Sequence, residues 1–301
     1  MEMKHDMRAI LGEDFFKEEV RCDYKISAAQ KMVWAMQLDL YLVFKEICNK
    51  YNLRHFFFYG SMLGAVRHNG FIPWDDDVDV AMPRKDFNTF LRVAPKELKE
   101  PYALQSPYTY PNCFMSNITM RNSMGTFTAK AFKHLDYNKG IPLDIFPLDY
   151  CRLDTILEDR LKIHDHIMRC SSWMKLQNSH LSGEQLEKSL KYKTDNPLHD
   201  WEEIHRIISN PSYENSEYMT MGVIVINLMH PPVFKSKWFE KAVPHKFESL
   251  EVDIPIGWDE FLTERYGNYM EFPPVPKRGA INDAIIVDPY TPYKEYDFDK
   301  L

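Results

Sequence analysis

At 301 residues, 45% of them hydrophobic, the chain can bury a substantial core in one or two domains, and its 37 basic and 44 acidic side chains leave a formal net charge of −7. That balance excludes a general nucleic-acid binder, which needs a basic face. Five cysteines, Cys22, Cys48, Cys113, Cys151 and Cys170, are odd in number and show no CxxC spacing; this excludes a disulfide frame or a zinc site and reads as reduced cytosolic thiols.

The N-terminal stretch from Met1 to Arg8 lacks the apolar run of a secretory leader. Ser27-Ala-Ala-Gln30 has capping-box form, and Val33, Met36, Leu40, Val43 and Ile47 recur at helical spacing. The pattern predicts a helix from Ser27 to about Lys50 whose stripe packs into a core. His55-Phe-Phe-Phe-Tyr59 reads as a buried strand running into Gly60-Ser61, followed by helix-compatible residues from Met62 to Arg67. A glycine at a strand-to-helix turn lets the backbone approach a ligand closely, and the amides at a helix start favour phosphate.

Four aspartates then fall within five positions, Asp75, Asp76, Asp77 and Asp79, between Phe71-Ile-Pro-Trp74 and the strand-like Val78, Val80, Ala81 and Met82. In an extended chain Asp77 and Asp79 share one face, with Asp75 in phase at the start of the strand and Asp76 opposite. Carboxylates about 5 Å apart repel by roughly 3 kcal/mol at an effective dielectric near 20. Either one of them stays protonated or a cation sits between them, and oxygen-only ligands suit a hard ion, Mg²⁺ or Mn²⁺. The plain alternative is an Asp-rich turn facing water. The order of strand, Gly-Ser, helix, loop and Asp-x-Asp strand favours a phosphate site beside a metal site.

Arg84-Lys85 follows and reads best as the opening of the next helix. From Gly140 to Asp149 a further apolar run carries one internal charge, Asp144, costly to bury unpaired and so a candidate metal ligand or general base. Asp149, after Pro147, reads as a turn or cap residue. Polarity rises from Arg152 to about Asn210, where helices are predicted over Leu153 to Leu176 and from Asp200 to Ile208, broken at Gln177-Asn-Ser-His180. Within them His164-Asp165-His166 suggests a metal, but residues two apart on a helix do not share a face, so a solvated surface is expected. Met221 to Met229 is too short to span a bilayer. The last stretch carries Pro273-Pro274, Pro276 and the basic pair Lys277-Arg278. No internal repeat or low-complexity tract appears. The expected organisation is an arm and helix over 1–50, a catalytic core over 51–150, a helical acceptor-side region over 151–250 and a closing segment over 251–301.

The stretch from Tyr59 to Met82, Tyr-Gly-Ser-Met-Leu-Gly-Ala-Val-Arg-His-Asn-Gly-Phe-Ile-Pro-Trp-Asp-Asp-Asp-Val-Asp-Val-Ala-Met, closely resembles the LicD family of phosphorylcholine transferases. Cys22 to Trp34, Arg121-Asn122, Gly140 to Asp149 and Trp258 to Met270 are similar to further blocks of that family. The resemblance implies an α/β (α+β) fold with a polymerase-beta-like nucleotidyltransferase core, a mixed sheet and helical additions. It implies phosphate binding at Gly60 and Ser61 and metal binding at Asp77 and Asp79, with Asp75 a further acidic position of the motif. Asp144 matches the third acidic position, and Arg121 a basic position suited to donor phosphates; Arg67 is a further cationic candidate for offsetting phosphate charge. Many relatives carry Gly-Thr at Gly60-Ser61, a change that keeps the hydroxyl. Many also carry a histidine where this chain has Gly279-Ala280 after Lys277-Arg278, which removes the basis for a family-like tail.

The implied reaction is Mg²⁺- or Mn²⁺-dependent transfer of a phosphoryl-alcohol group, phosphorylcholine from CDP-choline foremost, to a sugar hydroxyl of a glycan or lipid-linked glycan, with CMP leaving. The implied setting is the cytoplasm, at the inner face of a membrane, without a transmembrane segment or nucleic acid. A choline headgroup needs aromatic faces, and Trp74, Tyr137, Trp258, Tyr266 and Tyr269 lie in or beside the motif blocks. Glycerol phosphate or ribitol phosphate as the transferred group removes that need. Two rival readings are a nucleotidyltransferase moving NMP to a sugar phosphate or a protein, and a silent scaffold that keeps the fold; concentrated acid repulsion argues against the second.

Overall fold

A computed structural model describes residues 3–221, 232–279 and 284–298. The expected apolar run falls, after Met221, outside the described residues, as does Ala280. A short helix α1 (Met7–Leu11) and a hairpin of β1 (Glu19–Arg21) and β2 (Tyr24–Ile26) lead into α2 (Ala28–Tyr51). The N-cap half of the expected capping box forms: the Ser27 hydroxyl accepts from the Gln30 amide at 3.1 Å, while the Gln30 side chain donates to the Pro73 carbonyl; Asn52 closes the helix in the left-handed region.

Next come β3 (Phe56–Phe57), α3 (Tyr59–His68), β4 (Asp79–Pro83), α4 (Arg84–Glu97), β5 (Tyr102–Gln105), β6 (Ile118–Asn122), β7 (Thr126–Ala129) and the long β8 (Ile141–Cys151). The predicted strand over 55–59 is shorter than expected and the helix starts early, because the Phe58 carbonyl already accepts from the amides of Ser61 and Met62. Helices α5 (Ile156–Leu176), α6 (Gly183–Lys191) and α7 (Pro197–Ile208) follow, then β9 (Tyr218–Met221), β10 (Val233–Lys235), the hairpin β11 (Ala242–Phe247) with β12 (Leu250–Pro255), α8 (Trp258–Tyr266) and β13 (Ala284–Asp288). Helix α7 begins three residues before the predicted Asp200: Pro197 suits a first turn, and the Asn196 side chain caps it by accepting from the His199 amide.

One mixed sheet organises the molecule, in the order β10-β9-β8-β4-β3, with β6 also on β8 and β5 on β6. β4 runs parallel to β8, while β3, β6 and β9 are antiparallel to their neighbours. This is the α/β, nucleotidyltransferase-like architecture expected. Phe56, Phe57 and Phe58 are fully buried and pack in one core with Trp34, Leu38, Tyr41 and Phe44 of α2. Each such ring contributes about 1.5–3 kcal/mol of burial. At the start of β8 a Cβ on Gly140 would fall 2.3 Å from the Asn122 carbonyl oxygen, so only glycine lets β6 and β8 close here.

Asp149 departs from expectation. It is neither a turn nor a cap residue but lies inside β8, 1% exposed, accepting two hydrogen bonds from the Arg84 guanidinium at 2.6 Å each. Arg84 does open α4, as expected, and its charge is engaged by this buried pair and by His205 at 2.8 Å. His164 pairs with its neighbour Asp165, whereas His166 turns inward to Asp200 at 2.7 Å, so the two histidines separate as helical spacing requires.

Candidate active site

Three neighbouring strands bring the acids together. In the register of β6, β8 and β4, Thr119 lies opposite Asp144 and Asp144 lies beside Asp79. The parallel pairing of β4 with β8 thus sets Asp79 beside an acid 65 residues further along the sequence, with Asp77 just before the strand. Asp77 and Asp144 line a cleft of about 230 Å³ that also holds Asn117, Thr119, Arg121 and Tyr137. Asp76 also borders a hollow against α2, but it does not turn away as strict alternation would have it, because the strand begins only at Asp79.

The loop backbone is fixed from several sides. The Asp79 amide donates to the Ser61 hydroxyl oxygen at 2.8 Å, and the Asp144 amide donates to the Val78 carbonyl at 3.1 Å. A Cβ on Gly60 would fall 2.8 Å from an oxygen of Asp75, so the glycine is where the acid loop touches the strand-to-helix turn. Tyr59 enters that turn at φ +40°, a left-handed value rare for a bulky residue and of the kind that clusters at functional sites. Among the described residues the Gly60 amide makes no hydrogen bond, while the Ser61 amide is taken up by Phe58. This corner therefore offers one amide and the Ser61 hydroxyl.

Charge crowds the site. Burial, followed by repulsion from Asp77 and Asp144, holds the Asp79 carboxyl well above the usual range. Asp75 is raised the same way, by burial and by the charges of Asp77 and Asp76. Burial also raises Asp144, opposed by the Arg121 charge and by donors from Thr119 at 2.6 Å and Asn117 at 2.9 Å, both on Oδ1. Neither Thr119 nor Asn117 was singled out from sequence; the only signal was polarity beside an apolar strand.

Among the described residues the three acids that converge closely enough for a metal are not the expected Asp77, Asp79 and Asp144 but those of the loop itself. Asp75, Asp76 and Asp77 each offer an oxygen within 4.8 Å of the others. Cys113 also lines the cleft, but burial pushes its thiol up and its sulfur accepts from Gln105 at 2.9 Å. The charged donors are carboxylates alone, the set for Mg²⁺ or Mn²⁺.

The two predicted arginines part company. Arg121 is buried in the cleft wall, donating to Gln105 at 2.9 Å and to the Gly140 carbonyl at 3.1 Å. Arg67 is not in that wall: it donates to the carbonyls of Tyr269 at 2.9 Å and Glu271 at 3.2 Å, tying the C-terminal segment to α3. Among the aromatics, Tyr137 carries Arg121 at 5.5 Å and Lys139 at 4.9 Å, and Trp74 carries Arg278 at 4.9 Å. The Tyr269 hydroxyl bonds to Asp259, and Trp258 packs partly buried on the main core. Tyr266 stays 40% exposed, its hydroxyl pushed up by burial and feeling the charges of Asp75 and Asp79.

Residues 52–150 match the family model described as LicD/FKTN/FKRP, nucleotidyltransferase domain. The chain is 24% identical over 265 residues to the lipopolysaccharide cholinephosphotransferase LicD of Haemophilus influenzae, spanning 79% of this chain and 89% of that protein. An uncharacterized protein of Rickettsia typhi is 34% identical over 79 residues, 25% of this chain and 26% of that one. No helix among the described residues is long and apolar enough to cross a membrane.

Proposed function

We propose, given that this chain carries a nucleotidyltransferase domain of the LicD/FKTN/FKRP family over residues 52–150, that it is a transferase moving a phosphoryl-alcohol group from a CDP-alcohol to a sugar hydroxyl. The observation that carries the reading is the convergence of Asp77, Asp144 and Arg121 on one cleft, with Asp79 in register beside Asp144. CDP-choline is the donor we favour, because the likeness to a cholinephosphotransferase runs over most of both chains.

Asp77 and Asp79 would hold Mg²⁺ or Mn²⁺, with Asp75 adjoining; such an ion neutralises phosphate charge as the leaving group departs. The chain's own residues do the rest. The Ser61 hydroxyl and the Gly60 amide hold a donor phosphate, and Arg121 offsets its charge. The acceptor oxygen bonds to phosphorus, its proton passes to Oδ2 of Asp144, and the bond from phosphorus to the CMP oxygen breaks. A carboxylate raised by burial suits a base working near neutrality. Tyr266, 40% exposed at the end of α8, is the aromatic face we assign to the quaternary ammonium.

Product analysis tests this. With Mg²⁺ and a glycan acceptor, CDP-choline should release CMP and leave phosphorylcholine on the glycan, whereas faster CMP release from CDP-glycerol or CDP-ribitol, with glycerol phosphate or ribitol phosphate on the glycan, would reassign the transferred group. Release of pyrophosphate from a nucleoside triphosphate, with NMP on the acceptor, would establish nucleotidyl transfer instead.

Thr119→Val should lower kcat roughly ten- to hundred-fold, the usual cost of losing a group that orients a working side chain. The Thr119 hydrogen bond lowers the Asp144 value, so removing it moves the ascending limb of the kcat profile to higher pH. A pH–rate profile unchanged in this variant would remove Asp144 from the role of base.

A further inference from the structure

The acid loop is gripped from behind by one face of helix α2. Gln30, Trp34 and Gln37 lie at i, i+4 and i+7, one above another along the helix. The Gln37 side-chain amide donates to the Asp76 carbonyl at 2.7 Å, the Trp34 indole to the Asp75 carbonyl at 3.1 Å, and the Gln30 side-chain amide to the Pro73 carbonyl at 3.1 Å and, more loosely, to that of Asp75 at 3.4 Å. Three successive donors of a mostly apolar helix thus end on the backbone of 73–76.

Gln37 is the informative member. It is fully buried, yet its Oε1 has no hydrogen-bond partner. A buried amide with an orphaned oxygen is costly and uncommon, and a methionine of similar length would fill the same space without that cost. Packing therefore does not explain the residue; the bond from Nε2 to Asp76 does. Trp34 is equally buried and stacks on Phe71 at 4.5 Å with the rings nearly parallel, which fixes the height of its indole N–H against the loop.

The load on this grip is the mutual repulsion of the acids. Four carboxylates crowded on one loop push it open unless its backbone is anchored, and an anchored loop does not have to be ordered when a cation arrives. We propose that Gln30, Trp34 and Gln37 are positioning residues that hold the acid loop in its cation-binding form before any cation is present. None of them lines the cleft that holds Asp77, Asp144 and Arg121, and the inference rests on the reading that Asp77 and Asp79 hold a divalent ion.

The test is a Mn²⁺ binding isotherm on the full chain, read by the loss of the free-ion electron paramagnetic resonance signal, for Gln37→Met, Trp34→Phe, Asp77→Asn and Leu40→Ala. Gln37→Met and Trp34→Phe should each weaken Mn²⁺ binding roughly ten- to hundred-fold, as losses of second-layer partners do. Leu40→Ala, a cavity in the same helix, should lower the melting temperature with the isotherm unmoved. Trp34→Phe keeps a stacking ring should Gln37→Met fail to fold. If both variants bind Mn²⁺ as the natural chain does while Asp77→Asn does not, the clamp is refuted and the metal site stands. If Asp77→Asn also binds normally, the metal site itself is refuted and the clamp falls with it.

Discussion

Asp79→Asn should abolish turnover, by roughly 10³-fold or more, and should leave the metal-free protein as stable as the natural chain or slightly more so. The loss follows from removing a carboxylate that holds the ion, whose charge stabilisation is worth several kcal/mol, at 1.36 kcal/mol for each factor of ten. The gain follows from the surroundings of Asp79: its charged form is penalised by burial and by repulsion from Asp77, Asp144, Asp75 and Asp76, and a neutral amide escapes the repulsion and loses less on burial. An increment of about 1 kcal/mol corresponds to an upward shift of roughly 2 °C in a chain of this size. The Asp79 amide bond to Ser61 is made by the backbone and survives the change. Steady-state rates and thermal unfolding without metal check both halves. An Asp79→Asn protein with a tenth of natural activity, or one that is grossly unfolded, would contradict this account of the site.

Metal and protons compete for the same oxygens, and the second large effect is on stability against pH. Asp75, Asp79 and Asp144 all have folded values above the unfolded range near 3.9. The folded chain therefore keeps protons that the unfolded chain releases. A raised folded value gives stability that is complete below about pH 4 and is lost as pH climbs through the raised values, at about 1.4 kcal/mol per pH unit for each proton retained. Carboxylates with lowered values, such as Glu46 and Asp253, act in the opposite sense, so the quantity to follow is the difference between the natural chain and Asp79→Asn. Without metal this difference should widen against the natural chain as pH rises from 4. With saturating Mg²⁺ the widening should vanish, because the cation takes the place of the protons. Calorimetry in buffers of different ionisation enthalpy should register proton release on Mg²⁺ binding; zero release together with pH-independent affinity would mean that no cation sits among these acids.

The sequence exposed those parts of the site that depend on local chemistry. Asp77 and Asp79 stood out because clustered carboxylates repel, and Asp144 because a lone charge in an apolar run is costly; both costs can be read without knowing the neighbours. Ser27 and Gln30 announced a helix start for the same local reason. What could not be read was register. Thr119 becomes a partner of Asp144 only when β6 lies antiparallel on β8, and Arg84 finds Asp149 only through the parallel pairing of β4 with β8. The face formed by Gln30, Trp34 and Gln37 was not singled out, since a helix face does not declare what lies opposite it. The fold class was legible through family likeness and the order of elements; α6 and the β9–β10 edge were not, since short amphipathic and short apolar runs resemble loops.

Strand β8 is paired along its first half by β6 and along its second by β9, with β4 on its other flank. Side chains alternate along such a strand, so one residue gained or lost inside it would swing Asp144 to the reverse side of the sheet while disrupting three pairings together. Substitutions in this stretch can be absorbed one at a time, whereas length changes cannot. Natural variation in chain length among proteins of this architecture should accordingly concentrate in connecting loops such as residues 106–117 and 177–182, and spare 141–151 altogether.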